Sequence, residues 1–234
     1  MAALAHLLDG VLGGASNTTW QRDLAVSYNK LGDVAVSAGK LDDARDWFDK
    51  ALTVTKALAD KAPSNTDWTD WQRELALSYQ RLGGVAMSAG KLVDARTWFD
   101  KALAVATTLA AADPINTAWQ RDLSISYERL GDVAVYAGKL DDARTWFDKV
   151  LAVRKALAAK DPTNAEWQRD LCTTFADLAV AARNASEATQ YLAETRTIYD
   201  RLQRDGLFQH DVQFAQVGAF LNQRVTRTGS TPKH

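Results

Sequence analysis

Apolar side chains recur at steps of four and three from residue 24: Leu24, Tyr28, Leu31, Ala35 and Ala38. That spacing places them on one stripe of an α-helix. Gly39 follows, a residue suited to the left-handed stop of a helix. A second stripe then begins with Leu41, Ala44, Phe48, Ala51 or Leu52, and Leu58. It stops near Lys61, because the residue before Pro63 is pushed out of the helical region. The pattern predicts two helices joined by a tight turn. Pro63, Ser64, Asn65 and Thr66 supply turn chemistry and an N-cap for the helix that follows. No alternation of apolar and polar residues supports a strand.

The pair of stripes repeats. Trp-Gln-Arg begins at Trp20, Trp71, Trp119 and Trp167, at spacings of 51, 48 and 48. The first spacing is longer because three extra residues follow Pro63. Residues 20–66 and 119–165 are identical at 34 of 47 positions, which marks an internal repeat. Gly90 and Gly138 stand where Gly39 stands, and Pro114 and Pro162 mark the later joins. The fourth unit diverges. Leu171, Phe175, Leu178 and Ala182 keep the first stripe, but Leu-Gly has become Leu178-Ala179 and the glycine turn is lost. A second helix is predicted from Glu187 to Arg204, and a last one from about Asp211 to Arg227.

The organisation predicted is a capping segment over 1–19, repeat units over 20–66, 67–118 and 119–166, and a divergent unit over 167–206. A capping helix over 207–227 and a flexible tail over 228–234 complete it. Atypical terminal units are what a stacked repeat needs to cover its open ends.

The residues Tyr28, Leu31-Gly32, Gly39, Leu41, Ala44, Phe48, Ala51 and Leu52 resemble the tetratricopeptide repeat. Tyr79, Leu82-Gly83, Gly90, Ala95, Phe99, Ala102 and Leu103 repeat the pattern, as do Tyr127, Leu130-Gly131, Gly138, Ala143, Phe147 and Leu151. Val150 replaces the usual alanine. The unit is 48 residues rather than the family's 34, and Ala35, Ala86 and Ala134 stand where an aromatic is usual. The extra residues lie before Tyr28 and after Leu52, so both helices are about two turns longer at one edge. The Trp-Gln-Arg-Asp-Leu start is similar to that of long-period bacterial arrays. The resemblance implies an all-α, right-handed solenoid of antiparallel helix pairs with a C-terminal capping helix.

Composition narrows the function. Lys and Arg number 28 against 29 Asp and Glu, so the net charge is -1 and no basic excess points to nucleic acid. No apolar run approaches the ~20 residues that cross a bilayer. The N-terminus lacks a basic leader, so a cytoplasmic location is expected.

Catalytic chemistry finds little support. His6, His210 and His234 lie in terminal segments without companions at ligand spacing, so no metal site is expected. Cys172, the single cysteine, sits in an apolar pattern and is expected to be a buried structural thiol. Asp42-Asp43 and Asp141-Asp142 open second helices, where negative charge is favourable. No glycine-rich phosphate loop is present, and no cofactor is expected. Trp47, Trp98 and Trp146 precede the repeat phenylalanines and are expected to pack within the stack.

Binding is the remaining class. The resemblance implies a concave groove lined by the first helix of each unit. Carried over by register, its positions are Val26, Asn29, Lys30, Asp33 and Ser37; then Leu77, Gln80, Arg81, Met87 and Ser88; then Ile125, Glu128, Arg129, Asp132 and Tyr136. These positions vary between units while packing positions stay fixed, so they are expected to be exposed. The column Lys30, Arg81 and Arg129 suits an acidic peptide or a carboxylate terminus. Against it, Lys30 and Arg129 have Asp33 and Asp132 at i,i+3, and Gly84 leaves Arg81 without such a partner. Asn29, Asp33, Gly84 and Asp132 do not reproduce the clamp that holds chaperone tails in this family. The expected function is a non-catalytic adaptor that docks a partner's peptide or helix. Self-association into a dimer or stack is the first alternative, and small-molecule sensing the second.

Overall fold

The computed structural model describes residues 18–61 and 66–228. The expected N-terminal cap therefore lies outside the described residues, except Thr18 and Thr19, which open the first helix. The Pro63 turn and residues 229–234 also lie outside them. The described residues form nine helices and no strand: α1 (Thr18–Ser37), α2 (Leu41–Lys61), α3 (Thr66–Ser88), α4 (Leu92–Ala112), α5 (Thr117–Tyr136), α6 (Leu140–Lys160), α7 (Ala165–Val180), α8 (Ala185–Arg204) and α9 (Val212–Thr228). The fold is an all-α helical repeat.

The chain divides into two compact units, Met1–Ala112 and Asp113–His234. In the first, α1 packs on α2, α2 on α3 and α3 on α4. In the second, α5, α6, α7 and α8 pack in the same succession, and α9 lies against α7 and α8.

Local chemistry explains the elements. Gly39, Gly90 and Gly138 each hold φ +71° at the turn inside a pair, where a side chain would be strained. The backbone N–H of the following lysine reaches back over the turn, as from Lys40 to the Ala35 carbonyl at 2.9 Å. Between pairs, the asparagine caps act as expected. The Asn116 side chain accepts from the Ala118 and Trp119 amides at 3.1 and 3.2 Å, and Asn164 accepts from Trp167 at 3.1 Å. The divergent unit uses Asn184, which accepts from Glu187 N–H at 2.9 Å.

Each unit holds a cluster of the same core motif. Ala35, Ala44, Phe48, Leu82 and Val85 cluster in the first, and Ala134, Ala143, Phe147, Val150, Leu178 and Ala181 in the second. A separate cluster joins Cys172, Phe175, Ile198 and Leu202 to Phe214, Val217 and Leu221 of α9, so the C-terminal helix covers apolar surface of the divergent pair. Cys172 is buried, donates to the Thr195 carbonyl at 3.5 Å, and has its pKa pushed up to about 12 by burial. That is the structural thiol expected.

Candidate binding faces of the first helices

The first-helix positions are set by packing on the opposite side of each helix. In the first unit, Ala25, Gly32 and Ala35 of α1 turn inward, and so do Leu75, Ser78, Leu82 and Val85 of α3. Their neighbours in sequence are left outside. Val26, Lys30, Asp33 and Ser37 are exposed, Leu77, Gln80, Arg81 and Met87 are half-buried, and Ser88 is exposed. Arg81 Nε lies 3.9 Å from Asp33 Oδ1, so the two rows of side chains face each other. The partner Arg81 lacks on its own helix is supplied by α1.

Asn29 departs from expectation. It is buried, and its Oδ1 has no hydrogen-bond partner among the described residues. It belongs to the interior of the helix pair rather than to an open face.

The second unit departs further. Ile125 and Arg129 of α5 are half-buried, and Tyr136 is exposed. Glu128 is buried and fully engaged: Arg154 of α6 donates Nη1 to Oε1 at 2.8 Å and Nη2 to Oε2 at 2.9 Å. Arg154 also donates to Ser124 Oγ at 3.3 Å, to the Asp170 carbonyl at 2.9 Å and to Thr174 Oγ1 at 3.0 Å. All three guanidinium nitrogens thus find acceptors, with both Glu128 oxygens engaged, which offsets the cost of burying the charge. Asp170 in turn accepts from Arg121 Nε at 2.6 Å and from Arg169 Nη2 at 3.2 Å. Burial would raise its pKa, but Arg121, Arg154 and Arg169 together hold it below the ordinary carboxylate range. Glu128 is thus a structural residue and not a groove contact.

The ion pair between neighbouring first helices is also reversed here. By repeat register Asp132 corresponds to Asp33, and Asp177 to Arg81. Two carboxylates therefore stand where the first unit has an acid and a base. Asp132 turns to its own Arg129, Nη1 to Oδ2 at 3.3 Å. Burial, and then Glu128, push its pKa up to about 6. Asp177 is raised well above the carboxylate range by burial, with Glu128 and Asp132 adding to it. By register, the position held by Lys30, Arg81 and Arg129 in the first three repeats is held by an acid, Asp177, in the fourth.

The tetratricopeptide repeat model matches residues 24–61 and 125–162. The chain carries tetratricopeptide repeats. No curated protein matches it. Among solved structures, BtubC (BKLC) from P. vanneervenii aligns over 92% of this chain and 68% of its own, at 16% identity and TM-score 0.54. The apo form of RapI aligns over 96% and 77%, at 13% identity and TM-score 0.57. The S. pombe nuclear import adaptor Nro1 aligns over 84% and 66%, at 16% identity and TM-score 0.52. These likenesses establish a shared fold.

The tetratricopeptide repeats also explain the tryptophans. Trp47, Trp98 and Trp146 stack on Tyr28, Tyr79 and Tyr127 of their own units at 5.8, 5.9 and 5.9 Å. Lys50, Lys101 and Lys149 sit over the same indoles at 4.1, 4.2 and 4.3 Å. They pack within each repeat, as expected. Sequence reasoning missed the Arg154 network. Its signal is a coincidence: Arg154 replaces Thr55 and Ala106 in the apolar stripe of the one repeat in which Glu128 replaces Asn29 and Gln80.

Proposed function

We propose that the chain is a non-catalytic interaction module that docks a polypeptide partner along its first helices. The observation that carries this reading is the paired face of α1 and α3. Lys30, Asp33 and Ser37 are exposed on α1, Ser88 is exposed and Leu77, Gln80, Arg81 and Met87 are half-buried on α3, and Arg81 and Asp33 meet across the two helices at 3.9 Å. At that distance, with both side chains partly in water, the pair contributes little to stability and leaves both groups able to engage a partner. Apolar contacts flank it at Val26, Leu77 and Met87. In the second unit the comparable face reduces to Ile125, Arg129, Asp132 and Tyr136. No helix among the described residues is long and apolar enough to cross a membrane.

The test is photo-crosslinking from position 88 in cells, with position 46 on α2 as control. A partner captured only from position 88, and lost from an Arg81→Glu variant of unchanged helicity, supports the reading. Equal capture from both positions moves the site away from the first helices.

A second reading, association of two copies through α1, has its own observation. Leu31 and Val34 are 44% and 67% exposed, whereas their repeat counterparts Leu82 and Val85 are 2% and 6%. Leu24 is likewise open, while Leu75 is buried. The stacking face of the repeat is thus uncovered on α1 among the described residues, and a second copy can supply the missing apolar partner. A concentration-dependent mass by light scattering, abolished by Val34→Lys, supports it; a constant monomer mass refutes it.

A further inference from the structure

A cavity of about 220 Å³ opens in the first unit at the start of α2 and α4 and the end of α3. Its floor is apolar: Leu41, Leu82, Val85, Ala86, Ala89 and Trp98. Its polar wall carries Arg45 and Lys91, with Asp42 and Asp94 beside them. None of the expected groove residues line it.

The second unit contains the same corner and shows what fits there. Repeat register matches Arg45 with Arg144, Lys91 with Glu187 and Ala95 with Tyr191. The core beneath is the same motif, Leu82 and Val85 in one unit and Leu178 and Ala181 in the other. At this corner of the second unit, Arg144 Nη2 donates to Glu187 Oε1 and, at 3.2 Å, to the Tyr191 hydroxyl. The Tyr191 ring packs on the core cluster, and Arg144 lies 5.9 Å from its centroid. The carboxylate and the phenol bury the arginine: its side chain is 12% exposed, against 60% for Arg45. Arg45 pairs with Asp49, 3.7 Å away along its own helix. Arg144 has the equivalent neighbour in Asp148, also at 3.7 Å, and takes Glu187 and Tyr191 besides.

By register the two corners thus differ: Lys91 stands where the second unit has Glu187, Asp94 where it has Gln190, and Ala95 where it has the Tyr191 ring. Where the second unit brings an internal carboxylate to its arginine, the first brings a second cation over an apolar floor. We propose that the first-unit cavity is a binding site for an acidic side chain of a partner polypeptide. The carboxylate sits between Arg45 and Lys91, and adjoining apolar or aromatic groups cover Leu82, Val85 and Trp98. A carboxylate between a guanidinium and an ammonium makes charge-assisted hydrogen bonds to both, and a guanidinium fork can hold two oxygens at once. The internal Glu187–Tyr191 pair, one helical turn apart, defines the chemistry: an acid with an aromatic beside it.

The probe is the acetylated, amidated peptide Ala-Glu-Ala-Ala-Ala-Tyr, which keeps the four-residue step from Glu187 to Tyr191, titrated into the full chain while the Trp98 indole signal is followed by NMR. The same peptide with Gln for Glu, and succinate, are the comparison ligands. The expected result is a saturable Trp98 shift with the Glu peptide and at least tenfold weaker binding of the Gln peptide. Arg45→Gln weakens the Glu peptide at least tenfold. Lys91→Glu, which installs the internal carboxylate of the second unit, does the same without loss of helicity. Equal shifts from the Glu and Gln peptides, no shift from either, or full binding by Lys91→Glu overturns the proposal. Succinate binding as tightly as the peptide overturns the polypeptide assignment, because the site then recognises a small carboxylate alone. Arg81→Glu, which tests the first-helix face, leaves this titration unchanged.

Discussion

The Phe147 ring edge occupies the space in which residue 131 would carry a side chain. A Cβ on Gly131 would lie 2.4 Å from Phe147 Cε1. The same relationship holds between Gly32 and Phe48 and between Gly83 and Phe99, at 2.3 and 2.4 Å. Each glycine lets the first helix of a pair approach the second closely enough to bury the ring. The divergent unit has Ala179 and Thr195 at the matching register positions, so both members of the pair change together.

Gly131→Ala is therefore expected to destabilise the second unit by about 1–3 kcal/mol, because the buried ring has no room to move. Phe147→Leu will cost stability of its own through lost burial. In the double variant the two losses should fall short of additive, since the smaller side chain leaves space for the methyl. Thermal unfolding of the four chains gives the coupling directly.

Arg154→Ala should cost about 3–5 kcal/mol, because it leaves the Glu128 carboxylate buried without its partner. Arg154→Thr with Glu128→Asn copies the neutral pair Thr55 and Asn29 of the first unit and should recover most of the loss. Urea unfolding midpoints of the single and double variants decide between an ion pair needed for folding and one that merely tolerates burial. A double variant as unstable as Arg154→Ala would show that the hydrogen bonds to Asp170 and Thr174 dominate.

Asp132 makes stability depend on pH in a definite direction. Its pKa in the folded chain is pushed up to about 6, above the ordinary 3.8. Between those values the unfolded chain has released the proton and the native chain holds it, so stability falls as pH rises through that window. Asp177, also raised, acts in the same sense. Asp132→Asn should flatten the profile and stabilise the chain at pH 7 by about 1–2 kcal/mol, reduced from the full linkage value because the side chain is 25% exposed. At pH 4 the two chains should unfold together. A difference that persists there would assign the effect to packing.

Lys91→Glu should raise the melting temperature of the first unit. The new carboxylate would meet Arg45 as Glu187 meets Arg144, and it would stand immediately before α4, where negative charge is favourable. A gain of about 0.3–1 kcal/mol is expected, and added salt should erase most of it. Differential scanning calorimetry in low and high salt measures both.

Much of the architecture was legible from the residues. Helix positions follow from the three-and-four spacing, because a 3.6-residue turn returns a side chain to the same face at those steps. Turns follow from Gly39, Gly90 and Gly138, and helix starts from Asn116 and Asn164, because those effects are local. Tertiary structure decided which variable positions are open. Asn29 and Glu128 share a register position with half-buried Gln80, yet both are buried, and Glu128 is so because Arg154 of the partner helix meets it. It also decided the charge pairing. Arg81 meets Asp33 only because two helices 48 positions apart lie side by side, and the same packing sets Asp132 against Asp177. The cavity beside Arg45 arises in the same way, from a corner that one repeat closes with its own Glu187 and Tyr191 and another lines with Lys91.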